Sequence, residues 1–186
     1  MVEELGAAIT RFSVERYHHM IERAVLTEED HVELLEGVLV EKMTEGPAHA
    51  FRVSRVARLL TIRLGMGDWI VRAQHPITTD TSEPEPDLAI VRDTAYEVRH
   101  PNGADVAVVI EVSDSSLARD RNTKVRIYAA AAIERYIIIN IPADTIECFE
   151  GPVATPEPHY LLSRTLRDGT IELGPITVTV QELLHP

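Results

Sequence analysis

Two short apolar runs, each with one carboxylate at an end, constrain this chain more than any other feature. Pro86-Asp87-Leu88-Ala89-Ile90-Val91 sets Asp87 just before a strand, and Val106-Ala107-Val108-Val109-Ile110-Glu111-Val112 sets Glu111 just after one. Continuous aliphatic runs of this length read as strands buried on both faces. If the two pair antiparallel, Leu88 meets Ile110 and Val91 meets Ala107, and the same register puts Asp87 opposite Glu111. Directly opposed residues hold their Cβ atoms roughly 4.5–5.5 Å apart. Two like charges that close are unfavourable unless a cation or a proton lies between them. Spacing alone therefore points to a metal site.

The flanking sequence reads as a mixture of helices and strands. Ser13 caps a helix running to about Ala24, and His31 to Met43 gives two short strands turning at Gly37. Gly46-Pro47 opens a helix that ends near Leu64 before Gly65. Trp69 to Ile77 is a strand, followed by the two carboxylate strands. The run Ser113-Asp114-Ser115-Ser116 caps a helix over Leu117 to Ala132, and Tyr136 to Ile141 is a strand buried on both faces. Thr145 to Phe149, Tyr160 to Thr165, Thr170 to Leu173 and Ile176 to Val180 add strands. Gly151 to Pro158 is a proline-rich loop and Gln181 to Leu184 a helical turn. Residues 47–141 thus form an α/β core with a mixed sheet, flanked by an N-terminal helix and hairpin and by C-terminal strands. The 186 residues are expected to form one domain.

A cation held by Asp87 and Glu111 would be Mg²⁺ or Mn²⁺, which take hard oxygen ligands and commonly use one or two carboxylates with water and phosphate. Asp120, Lys124 and Tyr128 recur at i, i+4 and i+8 on the helix that follows. Lys124 would bring a positive charge to the same centre. A purely structural Glu111–Lys124 ion pair explains the buried glutamate equally well. Arg52, Arg55, Arg58 and Arg63 interleave with the apolar stripe of the 48–64 helix. They form either a phosphate-facing surface or an ordinary solvated face. The chain has no glycine-rich phosphate loop, no GxSxG and no HExxH. Its net charge of −12 argues against nonspecific affinity for nucleic acid. One cysteine, Cys148, rules out an internal disulfide. The acidic start Met1-Val2-Glu3-Glu4 lacks the order of a secretory signal, and no run is long enough to span a bilayer. A cytoplasmic setting is the expectation.

Taken in order, Pro86-Asp87-Leu88, Ile110-Glu111-Val112-Ser113, Asp120, Lys124 and Tyr128 resemble the PD-(D/E)XK nuclease superfamily. More narrowly they are similar to the Uma-type group of restriction-endonuclease-like proteins. The likeness includes Phe12 to Tyr17, the Glu33 to Gly37 turn, the Pro47/His49 helix start and Ala132 to Ile139. The resemblance implies an αβββαβ core that cleaves DNA with Mg²⁺, with Asp87, Glu111 and Lys124 catalytic. Glu33 and, more weakly, His49 would approach the metal. The superfamily lysine stands two residues after the glutamate, where this chain has Ser113, so Lys124 is the implied replacement. A homodimer is the expected assembly, because cutting both strands is often done by paired sites. The competing reading is a catalytically silent nuclease fold serving as a binding or assembly module.

Overall fold

The computed structural model describes residues 9–43 and 46–186. Helix α1 (Val14–Glu22) starts where Ser13 accepts a hydrogen bond from the Arg16 amide. Strands β1 (Val32–Leu35) and β2 (Val38–Glu41) form an antiparallel hairpin. Its turn residues Glu36 and Gly37 both have positive φ, 48° and 77°, as a tight two-residue hairpin requires. A Cβ on Gly37 would stand 2.7 Å from the Arg11 Cβ, so the position admits no side chain. Helix α2 (Pro47–Leu64) begins with Gly46 as its cap and Pro47 in its first turn.

A six-stranded sheet follows, in the order β3 (Trp69–Ala73), β4 (Leu88–Arg92), β5 (Val106–Ser113), β6 (Arg135–Asn140), β7 (Thr145–Val153) and β8 (His159–Leu166). β5 and β6 run parallel and the other neighbours antiparallel. A parallel pair needs a crossover, and the helical segment Leu117–Ala130 supplies it. That segment is α3 (Leu117–Arg119), a π-helical turn (Asp120–Lys124) and α4 (Val125–Ala130). The chain closes with a ribbon, β9 (Thr170–Leu173) and β10 (Ile176–Thr179), and α5 (Val180–Leu184). Among the described residues no helix is long and apolar enough to cross a membrane.

Helices cover both faces of the sheet, which is why β4 to β6 read as unbroken apolar runs. On one face α2, α5 and the ribbon bury Val56, Leu60 and Leu183 against Ile90, Val108, Ile110 and Ile137. On the other, Ile127, Tyr128 and Ala129 of α4 pack on Val109, Tyr136 and Ile138. Tyr136 is the hub of that layer, with ring centroids 4.9 Å from Tyr128 and 5.5 Å from Phe149. Side chains alternate along a strand, so Glu111 shares the α4 face with Val109.

Four local expectations change, the first being that β3 ends at Ala73 rather than at Ile77. Leu88 does pair with Ile110, but Val91 pairs with Val106 rather than Ala107. A β-bulge leaves Ala107 as an extra residue; a Cβ on Gly174 would approach its Cβ to 2.6 Å. Strand β7 runs on through Gly151-Pro152-Val153 instead of ending at Phe149. Its pairing with β6 stops at Glu150, so Pro152 is bonded on the β8 side alone and its missing N–H interrupts no β6 ladder. The 117–132 helix is also not uniform, because the π turn interrupts it.

Candidate active site

Asp87 precedes β4, and the Leu88–Ile110 pairing brings it to Glu111 of β5. The Asp87 amide donates to Glu111 Oε2 at 3.4 Å. Both residues are buried, at 8% and 3% exposure. Each carboxylate has one oxygen tied to fixed donors. Asp87 Oδ2 accepts from the Val112 amide at 2.7 Å and lies 3.0 Å from His49 Nε2. Glu111 Oε1 accepts from Lys124 Nζ and from the Tyr128 hydroxyl, both at 2.8 Å. Asp87 Oδ1 meets no donor among the described residues, and Glu111 Oε2 meets only the long contact from the Asp87 amide.

Charges shift as burial dictates. Desolvation pushes Glu111 above the ordinary carboxylate range; the Lys124 ammonium opposes the shift, and Asp87 and Asp120 add to it. Burial alone would lower Lys124, but the carboxylates of Glu111, Glu33 and Asp120 outweigh it and raise the ammonium above its usual value. Burial, followed by Glu111, also raises Tyr128, so the phenol stays a donor. The surrounding carboxylates therefore favour the ammonium form of Lys124 beside Glu111.

Lys124 owes its place to the π turn. Such a turn inserts an extra residue in a helix and is common at functional sites. Asp120 begins the turn, 1% exposed, with its Oδ2 accepting from Ser113 Oγ at 2.6 Å and Ser116 Oγ at 2.5 Å. The Tyr136 hydroxyl donates to the Asp120 carbonyl at 3.2 Å. Ser113, where a lysine was expected, thus holds the segment that delivers Lys124. Next to Asp120 in the turn, Arg121 forks onto Glu147 of β7 at 2.6 and 2.8 Å, and Asn140 completes that carboxylate at 3.0 Å.

A cleft of about 380 Å³ opens over these groups. Among the described residues, six that line it are acidic (Glu33, Glu85, Asp87, Glu111, Asp114 and Asp120) against Lys42, Arg119 and Lys124. Glu33 reaches the cleft from β1. Its Oε2 accepts from the Glu85 amide at 3.1 Å and lies 4.0 Å from Lys124 Nζ, while Oε1 lies 3.6 Å from Arg119. Among the described residues no group of three or more His, Cys, Asp or Glu side chains is placed to hold a metal ion by itself. The donor set is two carboxylates within an acidic cleft: Asp87 Oδ1 meets no donor among the described residues, and Glu111 Oε2 is held only by the 3.4 Å contact from the Asp87 amide. That set fits Mg²⁺ or Mn²⁺, which complete their shells with water and phosphate.

Asp87, Glu111, Lys124, Glu33, His49, Ser113, Asp120 and Tyr128 all converge here. The α2 arginines do not line the cleft. Arg52 donates to the Leu183 carbonyl at 3.4 Å and Arg55 to that of Pro186 at 3.3 Å. Arg63 pairs with Glu182, and Arg58 is exposed. Sequence reasoning missed Lys42, Arg119 and Arg121. No spacing signals the first two, because they reach the cleft only when the β1–β2 hairpin docks beside α3.

Residues 14–181 match the model of the Uma2 family, whose description is "Putative restriction endonuclease". A crystal structure from Anabaena variabilis, described as "a putative nuclease belonging to DUF820", shares the fold at a TM-score of 0.70. The match covers 88% of this chain and 95% of that one, at 12% sequence identity. No protein with a curated description matches the chain.

Proposed function

The chain belongs to the Uma2 family of restriction-endonuclease-like proteins, and from that premise we propose a divalent-metal-dependent endonuclease that hydrolyses DNA phosphodiester bonds. The observation that carries this reading is the pair Asp87 and Glu111, each with one oxygen anchored by short hydrogen bonds and both lining the same cleft. Asp87 and Glu111 would hold Mg²⁺ or Mn²⁺. Such an ion, when bound, polarises a phosphoryl oxygen and lowers the pKa of a coordinated water. The Val112 amide and His49 orient Asp87. Lys124 keeps its proton and sets a positive charge where negative charge grows on the attacked phosphate. The Tyr128 hydroxyl donates to the same Glu111 oxygen as Lys124 and fixes the carboxylate's rotamer. Glu33 acts as counter-charge to Lys124 and Arg119.

Thermal unfolding with increasing Mn²⁺ tests the site. A bound ion raises the melting temperature with concentration by mass action, reaching about 2.7 kcal/mol at a hundred times Kd. Asp87→Ala removes that rise and Mg²⁺-dependent DNA cleavage while the fold persists. A wild-type protein with neither a Mn²⁺ shift nor cleavage of any DNA substrate overturns the reading.

A second reading is favoured by the fully satisfied Glu111 Oε1, which has Lys124 and Tyr128 already seated on it. It makes the fold a silent binding or assembly module with a structural ion pair. Its signature is a melting temperature indifferent to Mn²⁺ and strongly lowered by Lys124→Met. A homodimer would suit two-strand cutting, and light scattering on the same samples reads its presence.

A further inference from the structure

We propose that Arg119 and Lys42 form a two-point phosphate clamp on the cleft rim, gripping the DNA backbone beside the phosphate under attack. The inference rests on the nuclease reading above and adds the residues that hold the strand. A strand entering a cleft lined by six acidic side chains among the described residues, on a chain of net charge −12, needs fixed cations at its backbone. The cleft lining provides Lys42, Arg119 and Lys124. Lys124 is 6% exposed and engaged with Glu111, so it can meet only a group deep in the site. The Arg119 and Lys42 side chains are 26% and 35% exposed.

The two cations are neighbours. Arg119 Nη1 donates to the Glu41 carbonyl at 3.0 Å, one residue before Lys42. The Lys42 amide is in turn fixed by the His31 carbonyl at 2.7 Å. Both heads are held but not saturated. A guanidinium carries five N–H donors; Arg119 engages Glu41 with one and faces Glu33 at 3.6 Å. The Lys42 ammonium has three donors and meets Glu85 Oε1 at 2.6 Å. Planar arginine recognises two phosphate oxygens at once, while lysine adds a point charge. The α2 arginines are the obvious rivals, but Arg52, Arg55 and Arg63 are turned onto the C-terminal segment.

Binding of labelled single-stranded and duplex oligonucleotides, measured by fluorescence anisotropy with Ca²⁺ across a salt series, tests the clamp. Arg119→Ala and Lys42→Ala should each weaken binding roughly tenfold and flatten the salt slope by about one unit. Arg119→Lys should retain the slope and lose part of the affinity, because it keeps the charge and loses the fork. The Mn²⁺-induced rise in melting temperature should be the same in all three variants as in the wild type. Arg58→Ala should match the wild type. Wild-type affinity and slope in both Arg119→Ala and Lys42→Ala overturn the clamp while leaving the metal site intact. A wild type that binds no oligonucleotide and shows no Mn²⁺ shift removes the nuclease reading and the clamp with it.

Discussion

At the scale of single residues, the Glu111–Lys124 pair decides most. A buried ion pair contributes little beyond its desolvation cost, yet removing one partner is expensive. Lys124→Met should lower stability by about 3–5 kcal/mol at neutral pH, read by urea unfolding. The loss depends on pH in a defined sense. Without the ammonium, burial holds Glu111 still further above its unfolded value of 4.5. The folded state then keeps a proton that the unfolded state releases. Stability is fully present below the unfolded value and falls as pH rises through the raised one. The gap between Lys124→Met and wild type should therefore be smaller at pH 4 than at pH 8. A pH-independent gap would mean that water enters the site and solvates the carboxylate. These residues were legible in sequence because a charge inside an apolar run demands a partner. Lys42 and Arg119 were not, since nothing local marks a side chain whose role depends on a distant hairpin.

At the scale of elements, the π turn and strand β7 depend on one another. Arg121 ties the turn to Glu147, whose value lies below its ordinary range: burial would raise it, but hydrogen bonds from Arg121 and Asn140 prevail. A depressed carboxylate contributes stability above the unfolded value and loses it as pH falls through the folded one. Glu147→Gln should cost about 1 kcal/mol at pH 7, a modest figure because Arg121 is half exposed, and the difference should vanish in acid. Parallel urea titrations at the two pH values check it. Element existence was readable from periodicity almost throughout, and the α2–β3–β4–β5–α4–β6 order followed. What escaped was irregularity. Neither the bulge at Ala107 nor the π turn changes composition or hydrophobic period. Pro152 in β7 looked like a loop because its tolerance depends on which neighbour it lacks.

At the scale of the whole molecule, α1 and the β1–β2 hairpin rest on the sheet partly through charge. The ion pairs Arg126–Glu36 at 3.0 Å and Lys42–Glu85 at 2.6 Å span the junction, with a His18–Glu83 hydrogen bond at 2.7 Å and the buried Leu34 and Leu35 beside them. Ions at molar strength screen the two partly exposed ion pairs. Amide hydrogen exchange should then show lost protection in residues 14–41 while β4, β5 and β6 keep theirs; a uniform change would make the hairpin part of one cooperative unit. The π turn has a further consequence at this scale. An α-helix crossing from β5 to β6 would need one residue fewer than the chain supplies, so the protein carries a surplus position. Deleting the exposed Asn122 should let 117–130 wind as a single regular helix. Its denaturation midpoint should hold or rise, while Lys124 or Asp120 rotates off its partners and the Mn²⁺ response disappears. Regular winding and the present placement of Lys124 and Asp120 compete for the same residue, and this sequence has kept the placement.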